Sequence, residues 1–192
     1  MRTSRLEAFS DGVIAILITI MVLELRLPPG ADWGALRSLG ATLCAYILSF
    51  IYLGIYWSNH HHLFHLVERV TGGILWANLH LLFWLSLVPF ATNWMGENPH
   101  APLPTAAYGV VLICAAIAYT ILVQVIIHSQ GAHSKLKAAV GSDRKGNVSI
   151  VMYAAAVAST LWHHEIAWTL YAAVALMWLV PDRRIERTLE QA

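Results

Sequence analysis

RTSRLEAFSDGVIAILITIMVLELRL, residues 2–27, sets an arginine and a Phe-Ser-Asp triplet at the head of a mostly apolar run. From Phe9 to Leu27 the run is about twenty residues long, the length an α-helix needs to cross a hydrocarbon core of ~30 Å. Pro28-Pro29-Gly30 ends it, because proline lacks an amide proton and its ring strikes the carbonyl four residues back. Polar groups beside hydrocarbon are costly and tend to be kept for function. Arg5, Ser10 and Asp11 are such groups. The stretch is too long for the hydrophobic part of a secretory leader, contains Glu24 and shows no clear small-residue cleavage site. A membrane span is expected.

Composition widens that expectation to the whole chain. Of 192 residues, 58% are hydrophobic and only 12% charged, where a soluble domain carries roughly a quarter charged residues. Mean hydropathy is +0.59. The net charge of +1 suggests no nucleic-acid or other polyanion partner. Cys44 and Cys114 both lie in apolar runs, where cysteine acts as a small hydrophobe. The composition is that of an all-α, polytopic membrane protein.

Six apolar segments follow one another: Phe9 to Leu27, Leu36 to Trp57, Ile74 to Trp94, Thr105 to His128, Val148 to Trp162 and Ile166 to Val180. Pro89 predicts a kink in the third. The last two are short for spans and allow tilted or rim-packed helices. We read one six-helix transmembrane domain over residues 1–192. With the N-terminus inside, Arg2, Arg5, Arg69, Lys135, Lys137, Arg144, Lys145, Arg183, Arg184 and Arg187 share one side, and only Arg26 and Arg37 lie opposite. That asymmetry is the one the positive-inside rule expects. Both termini are therefore predicted to be cytoplasmic, in the cell membrane. Arg26 and Arg37 are within sequence reach of Glu24 and Asp32.

At ~100° per residue, Gly12, Ile16, Ile20, Leu23 and Leu27 form one stripe of the first helix, extended inward by Arg5 and Phe9. Thr19 stands at its edge, and Asp11 points nearly opposite to Ile16. An apolar stripe of this kind either packs on lipid and neighbouring helices or faces an axis, where an apolar constriction can gate by dewetting. Periodicity leaves both readings open.

Depth adds a constraint. The first helix starts on the inner side and the second ends there, so Trp57 to His61 lie near the depth of Phe9-Ser10-Asp11. A carboxylate at the membrane edge needs donors, and Ser10, Trp57, Asn59 and the histidines can supply them. A polar knot that fixes the rotation of the first helix is predicted, with Arg5 and Asp11 on different faces and not paired. His61 and His65 share a helical face with Glu68 one turn on, a metal-like spacing. Consecutive histidines fan out around a helix and no fourth ligand is evident, so hydrogen-bonding histidines and no metal are expected. Asn78, His80, Ser86 and Thr92, and Gln124 in the fourth segment, read as interhelical hydrogen-bonding groups. No phosphate loop, HExxH or GxSxG stands in the chain, so neither an enzyme nor a cofactor is expected.

Arg5-x-x-x-Phe9-Ser10-Asp11, followed by Gly12-Val13-x-Ala15-Ile16-x-x-Thr19 and Glu24, resembles the signature of the transmembrane protein 175 family. These are the endolysosomal potassium channels of animals and their prokaryotic relatives. The likeness continues through Tyr56-Trp57-Ser58-Asn59-His60-His61-His62-Leu63-Phe64, Trp76-x-Asn78-Leu79 and Ser86-Leu87-x-Pro89-Phe90-x-Thr92. The resemblance implies a homotetramer passing K+ through a central pore lined by the first helices. It places the apolar constriction at Ile16, with Ile20 and Leu23 along the same stripe, and ties Thr19 to potassium preference. It also implies that Arg5, Phe9, Ser10 and Asp11 brace the helix, together with Trp57, Asn59 and His60. An ion-coupled transporter and a non-conducting membrane scaffold are the competing readings.

Overall fold

A computed structural model describes residues 2–67, 69–131, 136 and 143–179. The described residues form eight helical segments and no strand: α1 (Thr3–Leu23), α2 (Trp33–Ser38), α3 (Gly40–His65), α4 (Gly72–Ser86), α5 (Val88–Glu97), α6 (Pro102–Gln130), α7 (Arg144–Ser159) and α8 (His164–Leu179). Among the described residues, four spans are long and apolar enough to cross a membrane, namely α1, α3, α4 with α5 as one bent span, and α6. The fifth and sixth apolar segments are helical, but α7 and α8 have 16 residues each. That is a rise of ~24 Å, less than the ~30 Å of a hydrocarbon core.

Helix ends differ from the sequence boundaries for identifiable reasons. α1 begins at Thr3, inside the charged lead-in, and stops at Leu23. Pro28, four residues after Glu24, can neither donate to the Glu24 carbonyl nor avoid striking it. α3 runs through the histidines to His65 rather than ending at Trp57, because the polar side chains of that last stretch find partners on α1 and α4. The third segment breaks at Leu87, with Pro89 in the first turn of α5, where a missing amide proton costs nothing.

α1 packs on α3, α4 and α5, while α6 packs on α4, α5, α7 and α8. α1 and α3 run antiparallel, as three contacts in step show: Thr3 with Val67, Glu7 with His61 and Asp11 with Trp57. Gln130 donates to the Leu66 carbonyl at 2.7 Å, bringing the end of α6 to that same end of the bundle. At the opposite end Arg26 pairs with Glu97 at 3.1 Å, not with Glu24 or Asp32 as their closeness in sequence suggested.

Hydroxyl groups stitch the centre of the bundle. Ser49 Oγ sits between Thr92 Oγ1 at 2.6 Å and the Tyr108 hydroxyl at 2.9 Å, joining α3, α5 and α6. Tyr52 donates to the Tyr171 carbonyl at 2.6 Å, and Tyr171 in turn donates to the Thr105 carbonyl at 2.9 Å. Ser86 turns back to the Phe83 carbonyl, and His80 accepts from the Trp84 indole of the same helix, so neither is the interhelical group its sequence suggested. Each buried hydroxyl is satisfied, which removes the penalty of placing it in an apolar interior.

Gly109 is where α6 lets the α7–α8 hairpin approach. A Cβ there would strike the Tyr171 hydroxyl and Val157 Cγ2. Gly109→Ala therefore forces α8 away from α6 and breaks the Tyr171–Thr105 bond, a cost of about 1–3 kcal/mol. Thermal unfolding in detergent, followed by circular dichroism, is expected to show a lowered midpoint. A control such as Gly12→Ala, where a Cβ meets nothing within 4 Å of the protomer, leaves the midpoint nearly unchanged.

Candidate functional site

α1 has two unlike faces. Leu6, Ser10, Ile14, Leu17 and Met21 are buried against the other helices. Arg5, Phe9, Gly12, Ile16, Thr19, Ile20 and Leu23 lie on the opposite, outward side. Ile16 is 58% exposed and Leu23 81%, whereas Ile14, two residues before Ile16, is 1% exposed. The stripe expected from periodicity is thus the face that the protomer leaves uncovered. Other helices also expose large apolar residues, among them Trp76, Phe83 and Phe90. What sets the α1 face apart is the small Gly12 and the hydroxyl of Thr19 within an otherwise aliphatic row. The Thr19 hydroxyl donates to the Ile16 carbonyl at 2.8 Å, and its oxygen keeps acceptor capacity on the outward side.

The rotation of α1 is held by polar contacts on its inward side. Ser10 Oγ, fully buried, donates to the Leu6 carbonyl at 3.0 Å and accepts from Asn78 Nδ2 at 2.9 Å. Asn78 Oδ1 lies 2.8 Å from His60 Nε2. Because the Asn78 amide nitrogen is turned to Ser10, its oxygen faces the imidazole, and Nε2 carries the proton. His60 stacks on Phe64 with ring centroids 4.4 Å apart. From Ser10's neighbour Asp11 to Glu7, one turn away, a second row runs along α1 and α3. Trp57 Nε1 donates to Asp11 Oδ1 at 3.0 Å, and His61 Nδ1 meets Glu7 Oε1 at 2.8 Å. Acceptors four apart on α1 meet donors four apart on α3, since residues at that spacing share one helical face.

Of the expected bracing residues, the structure brings together Ser10 and His60 through Asn78, and Asp11 with Trp57. Arg5 makes no ion pair with Asp11 among the described residues. Phe9 is half exposed, on the outward stripe. Asn59 turns the other way, lining a pocket between α3, α6 and α7 with Tyr56, Tyr119 and Ser149, while its carbonyl accepts from the Tyr119 hydroxyl at 3.2 Å. Glu68 lies outside the described residues. Asn78 is the central member that the site reading left among ordinary interhelical groups. Its position at the depth of Ser10 is the signal that would have found it. Glu7, the partner of His61, stands in the lead-in and was not singled out.

Near the outer end of the stripe, Glu24 caps α1 and turns into a cleft formed with Tyr46, Thr92 and Asn93. Its Oε2 has no hydrogen-bond partner among the described residues, and burial raises its pKa above the ordinary 4.5.

A family model described as the endosomal/lysosomal potassium channel TMEM175 matches residues 5–89, which contain the whole of this polar brace and the outward stripe. A protein of Chryseobacterium named as a potassium channel is 56% identical over 191 residues, covering the full length of both chains. The chain belongs to the TMEM175 family. A Streptomyces collinus potassium channel is 36% identical over 128 residues, 62% of each chain. Among solved structures, the crystal structure of a lysosomal potassium-selective channel TMEM175 homolog from Chamaesiphon minutus superposes with a TM-score of 0.79 at 27% identity, covering 93% of this chain and 96% of that one.

Two outcomes follow from this geometry. Ser10→Ala leaves the Asn78 amide buried without an acceptor, a loss of about 1–3 kcal/mol; the unfolding midpoint in detergent is expected to fall and the near-ultraviolet signal of the surrounding aromatics to change. Glu24→Gln removes a carboxylate that folding desolvates. A raised folded pKa costs stability at pH 7 and costs nothing below 4.5, where the group is protonated in both states. The variant is therefore expected to unfold at a higher temperature than wild type at pH 7, and the difference is expected to close as pH falls to about 4.

Proposed function

We propose that this TMEM175-family chain is the protomer of a K+ channel, a passive, modestly selective pore of four identical subunits. Each subunit is a single six-helix unit over residues 1–192, set in the cell membrane with both termini in the cytoplasm. The observation that carries this reading is the outward face of α1, an aliphatic row holding a glycine and a threonine on a helix whose other side is pegged to the bundle. A lipid-facing helix needs no fixed rotation. A helix lining an axis does, because the identity of the side chain at the narrowest point depends on it.

Four copies of α1 around an axis would set four Ile16 side chains as the neck, with Ile20 and Leu23 toward the outer end. An apolar neck raises the barrier for hydrated ions, and sodium loses more hydration free energy than potassium on entering it. Thr19 oxygens beside the neck would supply dipoles that offset part of that loss. Few dipoles mean modest discrimination. Ser10, Asp11, Trp57, His60 and Asn78 would keep the row aimed inward, with Arg5 and Phe9 at the inner mouth. The relatives' names as potassium channels support the same ion.

Flux into liposomes holding the purified protein tests the proposal. Potassium-favouring, non-saturating flux is expected in wild type. Ile16→Asn is expected to wet the neck and reduce the potassium preference by roughly tenfold, a change of about 1.4 kcal/mol. Saturable, substrate-dependent flux would indicate a coupled transporter, and no flux from intact tetramers would indicate a scaffold. Asp11→Ala, which deprives the Trp57 indole of its acceptor, is expected to lower tetramer yield or current; a normally conducting tetramer would overturn the bracing role.

A further inference from the structure

Glu7 on α1 and His61 and His65 on α3 bring their ligand atoms within 4.8 Å of one another at one end of the bundle. His61 Nδ1 lies 2.8 Å from Glu7 Oε1, and His61 Nε2 lies 3.0 Å from His65 Nε2. A carboxylate only accepts, so His61 carries its proton on Nδ1. Its Nε2 is then a bare lone pair, aimed at the Nε2 of the next ring. The two rings stand at 79° with centroids 4.3 Å apart. Trp57 stacks on the other side of His61 with an interplanar angle of 22°, and the ring is held from three sides.

We propose that His61 Nε2 and His65 Nε2 form a transition-metal site of the zinc class, with Glu7 as the residue that positions His61. A histidine ligand whose second nitrogen donates to a carboxylate is the common arrangement at zinc, where the carboxylate fixes the tautomer and raises the basicity of the ligand. Zinc–nitrogen bonds of about 2.0–2.1 Å at a tetrahedral angle place two ligand nitrogens roughly 3.3 Å apart. The present separation of 3.0 Å needs only a small rotation of the exposed His65 ring to reach that. Imidazole suits zinc, copper and nickel and is a poor ligand for potassium or magnesium, so the site discriminates against the ions abundant around it. When the ion enters, it takes the place of the hydrogen atom between the rings. Neutral His65 moves its proton from Nε2 to Nδ1, which faces solvent, and no net proton is released from a neutral pair. Water completes the coordination. The charge of Glu7 offsets part of the ion's charge and ties the occupied site to α1.

The site depends only on the packing of α1 against α3 and stands whether or not the chain conducts potassium. The test is isothermal titration of Zn2+ into the full chain in detergent, purified without a polyhistidine tag and freed of metal with a chelator. One ion per chain is expected. His65→Ala, at an exposed position that leaves the fold intact, is expected to weaken binding at least tenfold, and Glu7→Ala by about 10–100-fold. Glu7→Gln keeps an acceptor for His61 Nδ1 but loses the charge, and is expected to bind more tightly than Glu7→Ala and less tightly than wild type; a merely structural hydrogen bond would leave Glu7→Gln equal to wild type. His100→Ala, at the opposite end of the bundle, is expected to change nothing. Undiminished binding in His65→Ala, or no binding to wild type below about 1 mM, overturns the site.

Discussion

A transmembrane helix in an apolar solvent gains little from facing one way rather than another, because lipid tails and leucine side chains are alike to it. α1 escapes that indifference through a few hydrogen bonds on one side. Ser10 accepts from Asn78 in a dry interior, and Asp11 accepts from Trp57 at the membrane edge. Turning α1 by one residue, about 100°, would carry both acceptors away from their donors and leave polar groups orphaned in a low-dielectric medium. The direction of every aliphatic side chain outward of them follows from those bonds. Chemistry at Ser10 therefore decides what Ile16 faces, six residues and nearly two turns away.

The rest of the bundle supplies a rigid backing for that arrangement. α3 and α4 each receive one end of the brace, and both are tied elsewhere by hydroxyl groups of the interior, Ser49 and Tyr52 on α3 and Thr92 on α5 beyond the Leu87 break. α6 carries Tyr108 and the narrow Gly109, where α7 and α8 come into close contact with it. The short hairpin thereby gives the long spans a lateral support, although neither of its helices is long enough to cross a full hydrocarbon core within the described residues.

Much of this was legible in the sequence, and the limits have physical causes. Periodicity reports the angular order of residues on one helix, and so the Gly12–Ile16–Leu23 face was readable to the residue. Depth arguments paired the inner ends of the first two spans, and proline chemistry located the break near Pro89. What spacing cannot report is which partner a group finds across helices. Asn59 and His60 are neighbours in sequence yet turn to opposite sides, one toward α6 and one toward α4. Arg26 bypasses two nearby acids for Glu97, brought close by α5. Asn78 and Glu7 complete the brace from elements whose position only the fold shows. The end of α3 moved to His65 because its polar side chains find partners on α1 and α4 rather than water.

The row from the Leu6 carbonyl through Ser10 and Asn78 to His60 is a line of hydrogen bonds with one sense of direction, reaching through three helices of a membrane protein. Such lines can carry protons when every member both gains and loses one. Asn78 does not: a carboxamide has no titratable proton to hand on. The seam is thus a strut with no proton relay through Asn78, and it fastens α1 to α3 by way of a side chain that belongs to neither.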